Sequence, residues 1–218
     1  MITEEKVGGL TLLQDTEEFR LTRDALELSA FATLRSGDRV CDLGCGVGNL
    51  LIPLAARAEG LTLDGVELRA RAAALCRENL DRNGLNGTIV TGDLNDCHEV
   101  LPALSYDLVA ANPPYFSAAS GLVSPNRAKA TARTEGTYTL ASACAAARRL
   151  CVSGGHFTLC LRPERLAELF AAMKETGFEP KRLQLVQTSA EKAPNLALVE
   201  GIKGAKPGLN VRPVKIER

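Results

Sequence analysis

The fold is decided by residues 39–48, which read RVCDLGCGVG. The first half is a short and mostly apolar run, which predicts a buried parallel strand. Gly44, Gly46 and Gly48 follow, and glycines allow a tight turn and a close approach to a ligand because they have no Cβ atom. A Gly-x-Gly-x-Gly loop alone is a weak signal, since nucleotide-binding turns of many kinds use it. Its meaning depends on the elements around it.

Strand-like and helical stretches alternate along the rest of the chain. Strands are predicted over residues 61–67, 88–93, 106–110 and 156–161. Helices are predicted over residues 49–58, 69–82, 137–150 and 162–176. Such alternation requires a parallel sheet with right-handed crossovers. Gly154 and Gly155 predict a turn before the fifth strand. Two further strands, over residues 181–188 and 195–202, have no helix between them, so we expect an antiparallel hairpin at one edge of the sheet.

The beginning of the chain predicts an arm and a helix. Residues 10–14 have the pattern of a short strand or hairpin arm. Thr22 is a helix N-cap candidate ahead of Leu26 and Ala30, which recur at helical spacing. We therefore expect a helix that starts just after Thr22 and precedes the first core strand.

Carboxylates mark the ends of three predicted strands. Asp42 precedes the glycine loop by two residues, Glu67 ends the second core strand, and Asp93 ends the third. The carboxyl ends of parallel strands lie at the edge of the sheet where ligands bind. A carboxylate after the second strand can accept hydrogen bonds from ribose hydroxyls, and one after the third from an adenine amino group. These features would serve a nicotinamide dinucleotide as well as S-adenosylmethionine, although the loop departs from Gly-x-Gly-x-x-Gly.

The predicted fourth strand runs into Asn112-Pro113-Pro114-Tyr115-Phe116. The prolines cannot donate ladder hydrogen bonds, and they hold Asn112 extended at the carboxyl edge of the sheet. Asn112 then offers an amide oxygen, the rigid backbone offers carbonyls, and Tyr115 offers an aromatic face. This set suits a planar amine, which needs acceptors for two N–H groups and a surface on which to stack. An isolated motif of this kind is more often an ordinary strand end, but the glycine loop and carboxylates ahead of it favour an active site.

Length and composition predict one globular domain. The chain has 218 residues, of which 45% are hydrophobic and 24% charged, and that length allows a full core. We expect neither a membrane span nor a signal peptide. The seven cysteines form no Cys-x-x-Cys pair, so we expect reduced core thiols in a cytoplasmic protein. The two histidines lie far apart and show no metal-ligand spacing.

The zero net charge conceals an asymmetry along the chain. Residues 1–120 hold ten Lys and Arg against eighteen Asp and Glu, whereas residues 121–218 hold sixteen against eight. Arg127, Lys129 and Arg133 lie in a long, small and polar loop directly after the Asn-Pro-Pro-Tyr motif. We predict that these cations contact the phosphates of a polyanionic substrate, although solvated surface charges are the ordinary alternative.

Taken together, these residues resemble the class I S-adenosylmethionine-dependent methyltransferases, and among them the amine-methylating group with an Asn-Pro-Pro-Tyr motif. Further stretches resemble one family, the tRNA1(Val) adenine-37 N6-methyltransferases. They are Phe19-x-x-Thr22-x-Asp24-Ala25, Arg162-Pro163-Glu164-Arg165-Leu166 and residues 195–204, which read NLALVEGIKG. The resemblance implies an α/β, Rossmann-like fold with a seven-stranded, mostly parallel sheet in the order 3-2-1-4-5-7-6 and helices on both faces. It implies a methylated adenine in tRNA or another structured RNA as product, and it leaves the oligomeric state open.

The resemblance also implies roles for individual residues. Those that would shape the cofactor site are Asp42, Gly44, Gly46 and Gly48 at the methionine end, Glu67 at the ribose, Asp93 at the adenine, and Thr22 above the cofactor. Asn112 would line the cofactor site and, with the Pro113 carbonyl, accept hydrogen bonds from the target amine. Tyr115 or Phe116 would stack on a base that has left its helix. Residues 1–38 would then form an arm and helix over the cofactor, and residues 39–218 the methyltransferase core of a single domain.

Other targets fit parts of the pattern. Guanine-N2 methylation of ribosomal RNA and glutamine-N5 methylation of protein use similar motifs. Enzymes of the glutamine type carry a helical domain ahead of the core, and only 38 residues precede Arg39 here. DNA adenine methylation would need an added target-recognition domain for which the chain has no room. A non-catalytic adenosine or RNA binder is a further alternative, which the complete set of Asp42, Glu67, Asp93 and Asn112 disfavours.

Overall fold

A nine-stranded sheet forms the centre of the molecule in a computed structural model, which describes residues 1–15, 20–97, 100–113 and 138–216. Two strands form a separate hairpin, β1 (Ile2–Val7) and β2 (Leu10–Asp15). The sheet contains β3 (Arg39–Leu43), β4 (Thr62–Glu67), β5 (Ile89–Thr91), β6 (Tyr106–Ala111), β7 (Cys151–Leu161), β8 (Phe178–Gln187), β9 (Leu196–Lys203), β10 (Asn210–Val211) and β11 (Lys215–Ile216). Its helices are α1 (Arg23–Phe31), α2 (Leu51–Ala55), α3 (Ala70–Arg82), α4 (Leu140–Leu150) and α5 (Leu166–Glu175), and a 3₁₀ turn covers Pro163–Arg165.

The strand order confirms the predicted topology. The seven core strands lie in the order β5-β4-β3-β6-β7-β9-β8, which is 3-2-1-4-5-7-6 when they are numbered from β3. Strands β3 to β7 pair in parallel, whereas β9 is antiparallel to both β7 and β8. The expected terminal hairpin is therefore present. Because β9 inserts between β7 and β8, the last core strand lies inside the sheet rather than at its edge.

One lateral row of the ladder crosses most of this sheet. Asp42 of β3 pairs with Ala110 of β6, Ala110 with Thr158 of β7, and Thr158 with Glu200 of β9. Glu200 in turn pairs with Arg182 of β8. Laterally paired residues project to the same face of a sheet, so the polar side chains of this row lie on one side.

Helices cover both faces, as the continuous apolar strands require. Leu108 belongs to the buried cluster that includes Leu28 of α1, whereas its neighbour Val109 belongs to the cluster that includes Leu140 of α4. Consecutive strand residues thus point into opposite layers. None of the described helices is long and apolar enough to span a membrane.

Two elements beside the glycine loop are shorter than predicted. Helix α2 covers Leu51–Ala55 rather than residues 49–58. Pro53 has no N–H to donate to the Asn49 carbonyl, which disfavours an earlier start, and beyond Ala55 the chain passes through turns toward Gly60. Strand β5 covers Ile89–Thr91, so Asp93 lies in the turn beyond the strand rather than at its last position.

The turn predicted at Gly154 and Gly155 is wrong, because both residues lie within β7. The register between β6 and β7 shifts between Tyr106 and Leu108, which marks a bulge. Gly154 adopts a φ of +78°, a conformation that favours glycine. A Cβ atom at Gly155 would lie 2.9 Å from Cys151 Sγ and 3.1 Å from the Tyr106 carbonyl oxygen. The two glycines therefore serve the bulge and the close packing of β7 on β6.

The Lys/Gly/Pro-rich end of the chain, which we did not predict to be structured, forms β10 and β11. Both strands pair in parallel with β8 and cover its outer edge. Lys215 of β11 forms an ion pair with Glu27 of α1. The end of the chain is thus attached to the first helix as well as to the sheet.

The N-terminal hairpin is attached to α3 by two asparagines. The Asn79 side chain accepts from Leu13 N at 2.7 Å and donates to the Leu13 carbonyl at 2.8 Å, and Asn83 exchanges the same pair of hydrogen bonds with Thr11. These two side-chain amides therefore satisfy backbone N–H and C=O groups of β2, as the backbone of a neighbouring strand would. Asn79 also donates to the Val47 carbonyl at 2.7 Å, which connects the hairpin to the glycine loop.

Candidate active site

The glycine loop closes against the end of β4. The amides of Gly44 and Cys45 both donate to the Val66 carbonyl, at 2.8 and 3.0 Å. Gly44 and Gly48 have φ values of +86° and +93°, where residues with a Cβ atom are strained. The loop conformation therefore depends on glycine at these two positions, as the sequence predicted.

Glu67 supports the loop with both of its carboxylate oxygens. Its Oε2 accepts from Gly46 N at 2.9 Å and its Oε1 accepts from Arg69 N at 2.9 Å. The side chain is buried. Because a carboxylate has about four acceptor positions, these two bonds leave positions on the same oxygens for other donors.

Asp42 is a buried carboxyl with incomplete hydrogen bonding. Its Oδ1 has no hydrogen-bonding partner among the residues that the structure describes, and only 2% of the residue is exposed. Burial, followed by the negative charge of Glu67, raises the pKa of Asp42 to about 8. A buried acceptor of this kind is costly unless a donor or a cation satisfies it. Asp42 Oδ1 can therefore accept a hydrogen bond from a group that is not among the described residues.

A shallow pocket opens beside the Glu67 carboxylate and the glycine loop. Its walls are Gly44, Val66, Glu67, Leu68, Gly92, Asp93, Leu94 and Tyr138. Mostly apolar walls with a few polar groups are typical of sites for a ring system with polar substituents. Asp93 lines this pocket although it lies beyond β5, and its Oδ1 accepts from the backbone and side-chain nitrogens of Asn95, at 2.9 and 2.7 Å.

Tyr138 is a pocket residue that sequence reasoning missed. Its hydroxyl donates to the Leu43 carbonyl at 3.2 Å, and its ring would lie 3.5 Å from a Cβ atom at Gly44. Burial raises the pKa of the Tyr138 hydroxyl, and the nearby negative charge of Asp42 adds to the effect, so the group stays a neutral donor. Nothing local in the sequence marks Tyr138, because it reaches the loop only through the docking of α4.

Asn112 lies at the carboxyl end of β6, directly after Ala111, as predicted. Strand β6 is the immediate neighbour of β3, so Asn112 and Asp42 come to the same edge of the sheet. The Asn112 Oδ1 lies 3.1 Å from the Sγ of Cys160 on β7. Pro113 is buried, which fixes the backbone at the point where its carbonyl follows the strand.

The segment before α1 lies against the glycine loop. Thr22 caps α1, accepting from Ala25 N at 3.3 Å, as the sequence predicted. Two residues earlier, the Arg20 carbonyl accepts from Asn49 Nδ2 at 3.0 Å. The chain leading into Thr22 therefore contacts the residue that follows Gly48.

Five predicted site residues lie outside the described residues, namely Tyr115, Phe116, Arg127, Lys129 and Arg133. Of the other predicted positions, the structure places Asp42, the glycine loop, Glu67, Asp93 and Asn112 at the carboxyl edge of the parallel strands, whereas Thr22 lies at the start of α1. All seven cysteines are buried free thiols, which agrees with the prediction of reduced core residues.

Comparisons with known proteins agree with this geometry. Residues 25–131 match the family model described as methyltransferase small domain. A tRNA1(Val) (adenine(37)-N6)-methyltransferase of Tolumonas auensis is 31% identical over 189 residues, covering 85% of this chain and 77% of the relative. The enzyme of the same name from Dickeya chrysanthemi is 30% identical, covering 94% of this chain and 83% of the relative.

Solved structures give the same class. The crystal structure of a predicted O-methyltransferase, protein Atu636 of Agrobacterium tumefaciens, superposes with a TM-score of 0.71 at 25% identity and covers 88% of this chain and 86% of its own. TrmN from Thermus thermophilus superposes with a TM-score of 0.59 at 21% identity, over 82% of this chain and 47% of its own. At this level of identity, the similarity to TrmN supports the fold alone.

The sheet order, the glycine loop and these relatives define the class of the protein, a Rossmann-like methyltransferase with S-adenosylmethionine as its cofactor. Within that class, the chain belongs to the family of the tRNA1(Val) (adenine(37)-N6)-methyltransferases.

Proposed function

We propose that this enzyme methylates the N6 amine of an adenine in tRNA. The family supports this substrate, because its curated members are named for it. The structural observation that carries the proposal is the position of Asn112 at the end of β6, one strand away from the glycine loop and Asp42. An amine acceptor site and a cofactor site then share one edge of the sheet.

The chemistry required of the chain is mainly orientation. The amine of adenine is a poor nucleophile, because its lone pair is delocalised into the ring. Asn112 Oδ1 and the Pro113 carbonyl would accept its two N–H groups, which favours a pyramidal nitrogen whose lone pair is available. When bound, S-adenosylmethionine would supply the methyl group from its sulfonium, and the electron pair of the broken C–S bond would remain on sulfur. The amine proton leaves to solvent, so no general base with a tuned pKa is required.

The described residues fit the cofactor. Asp42, whose Oδ1 lacks a donor among the described residues, would meet the cationic methionine end together with the backbone of Gly44, Gly46 and Gly48. Glu67 would use its remaining acceptor positions for the ribose hydroxyls. Asp93 and the apolar side chains that share its pocket would hold the adenine. Of these assignments, that of Asp42 has the most specific support.

The remaining parts of the chain would serve substrate binding and enclosure. We propose that residues 1–38 help to cover the cofactor, since the segment before Thr22 contacts Asn49 in the loop. Tyr115 and Phe116 would stack on the extruded base, and Arg127, Lys129 and Arg133 would contact RNA phosphates. These assignments derive from their sequence positions next to Asn112.

The test is mass spectrometry of nucleosides after incubation of the purified enzyme and cofactor with an unmodified tRNA1(Val) transcript. We expect N6-methyladenosine in the product, and none when the adenine at position 37 is replaced by guanine. Asn112→Ala should lower the single-turnover rate at least about a hundredfold while cofactor affinity changes little. N2-methylguanosine in ribosomal RNA, or methylated glutamine in protein with no tRNA product, would replace the proposal. Cofactor binding without transfer to any of these would indicate a non-catalytic binder.

A further inference from the structure

A buried thiol contacts the amide of the proposed catalytic residue. The Sγ of Cys160 lies 3.1 Å from Asn112 Oδ1, with the thiol as donor. Cys160 is completely buried. It lies within the apolar layer that α1 covers and it pairs with Leu198 of β9. The backbone that carries the thiol is therefore held in the sheet on the side away from Asn112.

The register of β6 and β7 explains the contact. Ala111 pairs with Leu159, so the next residues on the two parallel strands, Asn112 and Cys160, lie side by side. Such neighbours project to the same face of the sheet. The contact is thus a consequence of strand pairing and does not depend on a loop.

The proposed role of Asn112 requires that its carboxamide be held in one orientation. The terminal torsion of an asparagine side chain is broad, so rotation of the amide costs little unless a neighbour restrains it. An amide oxygen has two lone pairs. A donor on one of them restrains the torsion, and the role proposed for Asn112 has the target amine donate to the amide oxygen as well.

We infer that Cys160 is a positioning residue for catalysis, which holds the Asn112 amide oxygen in the orientation that accepts from the target amine. This inference rests on the proposed function for the role of Asn112. A thiol suits the position because it is a weak donor and small enough for the apolar layer. It restrains the amide while competing little with the amine for the oxygen.

Cys151 provides a matched control on the same strand. It is also a completely buried cysteine of β7, but its Sγ donates to the His156 carbonyl at 3.3 Å, near the opposite end of the strand. Cys151→Ala removes the same atoms as Cys160→Ala and creates a comparable cavity. If Cys160 had only a structural role, neither variant would lower the single-turnover rate of the correctly folded enzyme.

The kinetic test compares Cys160→Ala, Cys160→Ser and Cys151→Ala with the parent. We expect Cys160→Ala to lower the single-turnover rate about three- to fivefold, because a thiol is a weaker donor than an N–H or O–H group, with the affinities for cofactor and tRNA unchanged. Cys160→Ser keeps a donor and should restore most of the rate, and Cys151→Ala should keep the parental rate. In an Asn112→Ala background, Cys160→Ala should have no further effect, because the residue acts through Asn112. Equal rates for Cys160→Ala and Cys151→Ala would overturn the inference.

A second readout does not depend on activity. The side-chain amide resonance of Asn112, identified by its loss in Asn112→Ala, should shift in Cys160→Ala and change less in Cys160→Ser and Cys151→Ala. If the parent enzyme does not methylate tRNA but the resonance shifts in this pattern, the proposed function is refuted while the restraint of Asn112 by Cys160 is supported. An unchanged resonance in Cys160→Ala would refute the restraint even in an active enzyme.

Discussion

The buried Glu200 forms an ion pair with the partly exposed Arg182 across the antiparallel strands β9 and β8, with Arg182 Nη1 2.8 Å from Glu200 Oε1. The pair also holds the chain that follows α1. Thr33 donates to the carboxylate through its amide and its hydroxyl, both at 2.8 Å, and Arg182 donates to the Phe31 carbonyl at 2.8 Å. The helix whose N-cap is Thr22 is thereby fastened to the sheet at its other end.

We predict that Glu200 makes the protein sensitive to acid. Burial alone would raise the pKa of Glu200, but the close contact with His156, the hydrogen bonds from Thr33 and the charge of Arg182 hold it at about 2. A carboxyl whose pKa is lowered on folding stabilises the folded state at every pH above its ordinary pKa of about 4.5. This contribution is lost as the pH falls from about 4.5 toward 2. Its size is about 3 kcal/mol at most. Urea unfolding of the parent at pH 7 and pH 3 measures the loss.

The matched variant is Glu200→Gln. Its free energy of unfolding at pH 7 should be about 3–5 kcal/mol lower than that of the parent, because Arg182 loses its charged partner. It should lack this part of the acid sensitivity. Glu168→Gln, which breaks an exposed pair with Arg165, should cost less than about 1 kcal/mol. Parental stability of Glu200→Gln at pH 7 would show that the buried network contributes little.

Cofactor affinity should increase with pH. With a pKa raised to about 8 by burial and by Glu67, Asp42 is mostly protonated at pH 6 and charged at pH 9. Only the charged form attracts the cationic cofactor, so the affinity should rise with pH, by at most about tenfold per unit, and level off above pH 8. Calorimetric titration across this range measures the rise. Asp42→Asn should bind weakly with a flat profile, and a flat profile in the parent would exclude Asp42 as the cation's partner.

Glu67 should affect cofactor affinity and loop stability together, because its oxygens accept from Gly46 N and Arg69 N. Glu67→Ala should weaken cofactor binding by a few kcal/mol, the worth of two charge-assisted hydrogen bonds to the ribose. Glu67→Gln retains one acceptor but points an amide toward a backbone N–H, so it should recover only part of the loss. Calorimetry gives the affinities. Tight binding of NADH without binding of the sulfonium cofactor or its demethylated product would contradict the assignment.

The RNA contacts predicted at Arg127, Lys129 and Arg133 should appear in salt dependence. Each lost phosphate contact should reduce the slope of log affinity against log salt by roughly 0.7 to 0.9. The triple alanine variant should therefore bind tRNA more weakly and with a flatter slope, while cofactor binding stays intact. Tyr115→Ala should instead cost about 1–3 kcal/mol of stacking with little change in slope. An unchanged slope in the triple variant would place the phosphate contacts elsewhere on the protein.

The parts that could be predicted from the sequence are those set by strand ends. Asp42, Glu67 and Asn112 each follow a clear apolar strand, and parallel pairing alone brings such ends to one edge. The antiparallel hairpin was predictable because no helix separates its strands. These inferences need only local patterns and the rules of chain connection.

The features that could not be predicted depend on packing between distant segments. Gly154 and Gly155 have the composition of a turn, but the bulge against Tyr106 keeps them in β7. The contact of Cys160 with Asn112 follows from a register that no local pattern specifies. Tyr138 reaches Gly44 only because α4 docks beside the loop. Tertiary context decided each of these positions.

The lateral row that joins Asp42, Ala110, Thr158 and Glu200 has a consequence for how this enzyme can change over generations. Backbone pairing between β3 and β6 sets the spacing between the proposed methyl-donor and amine sites. This spacing therefore does not depend on the segments that we propose contact the RNA. If those segments select the substrate as proposed, we expect substitutions in them to change which nucleotide or tRNA is bound while the donor pocket keeps its dimensions. New targets can therefore be acquired without rebuilding the catalytic edge.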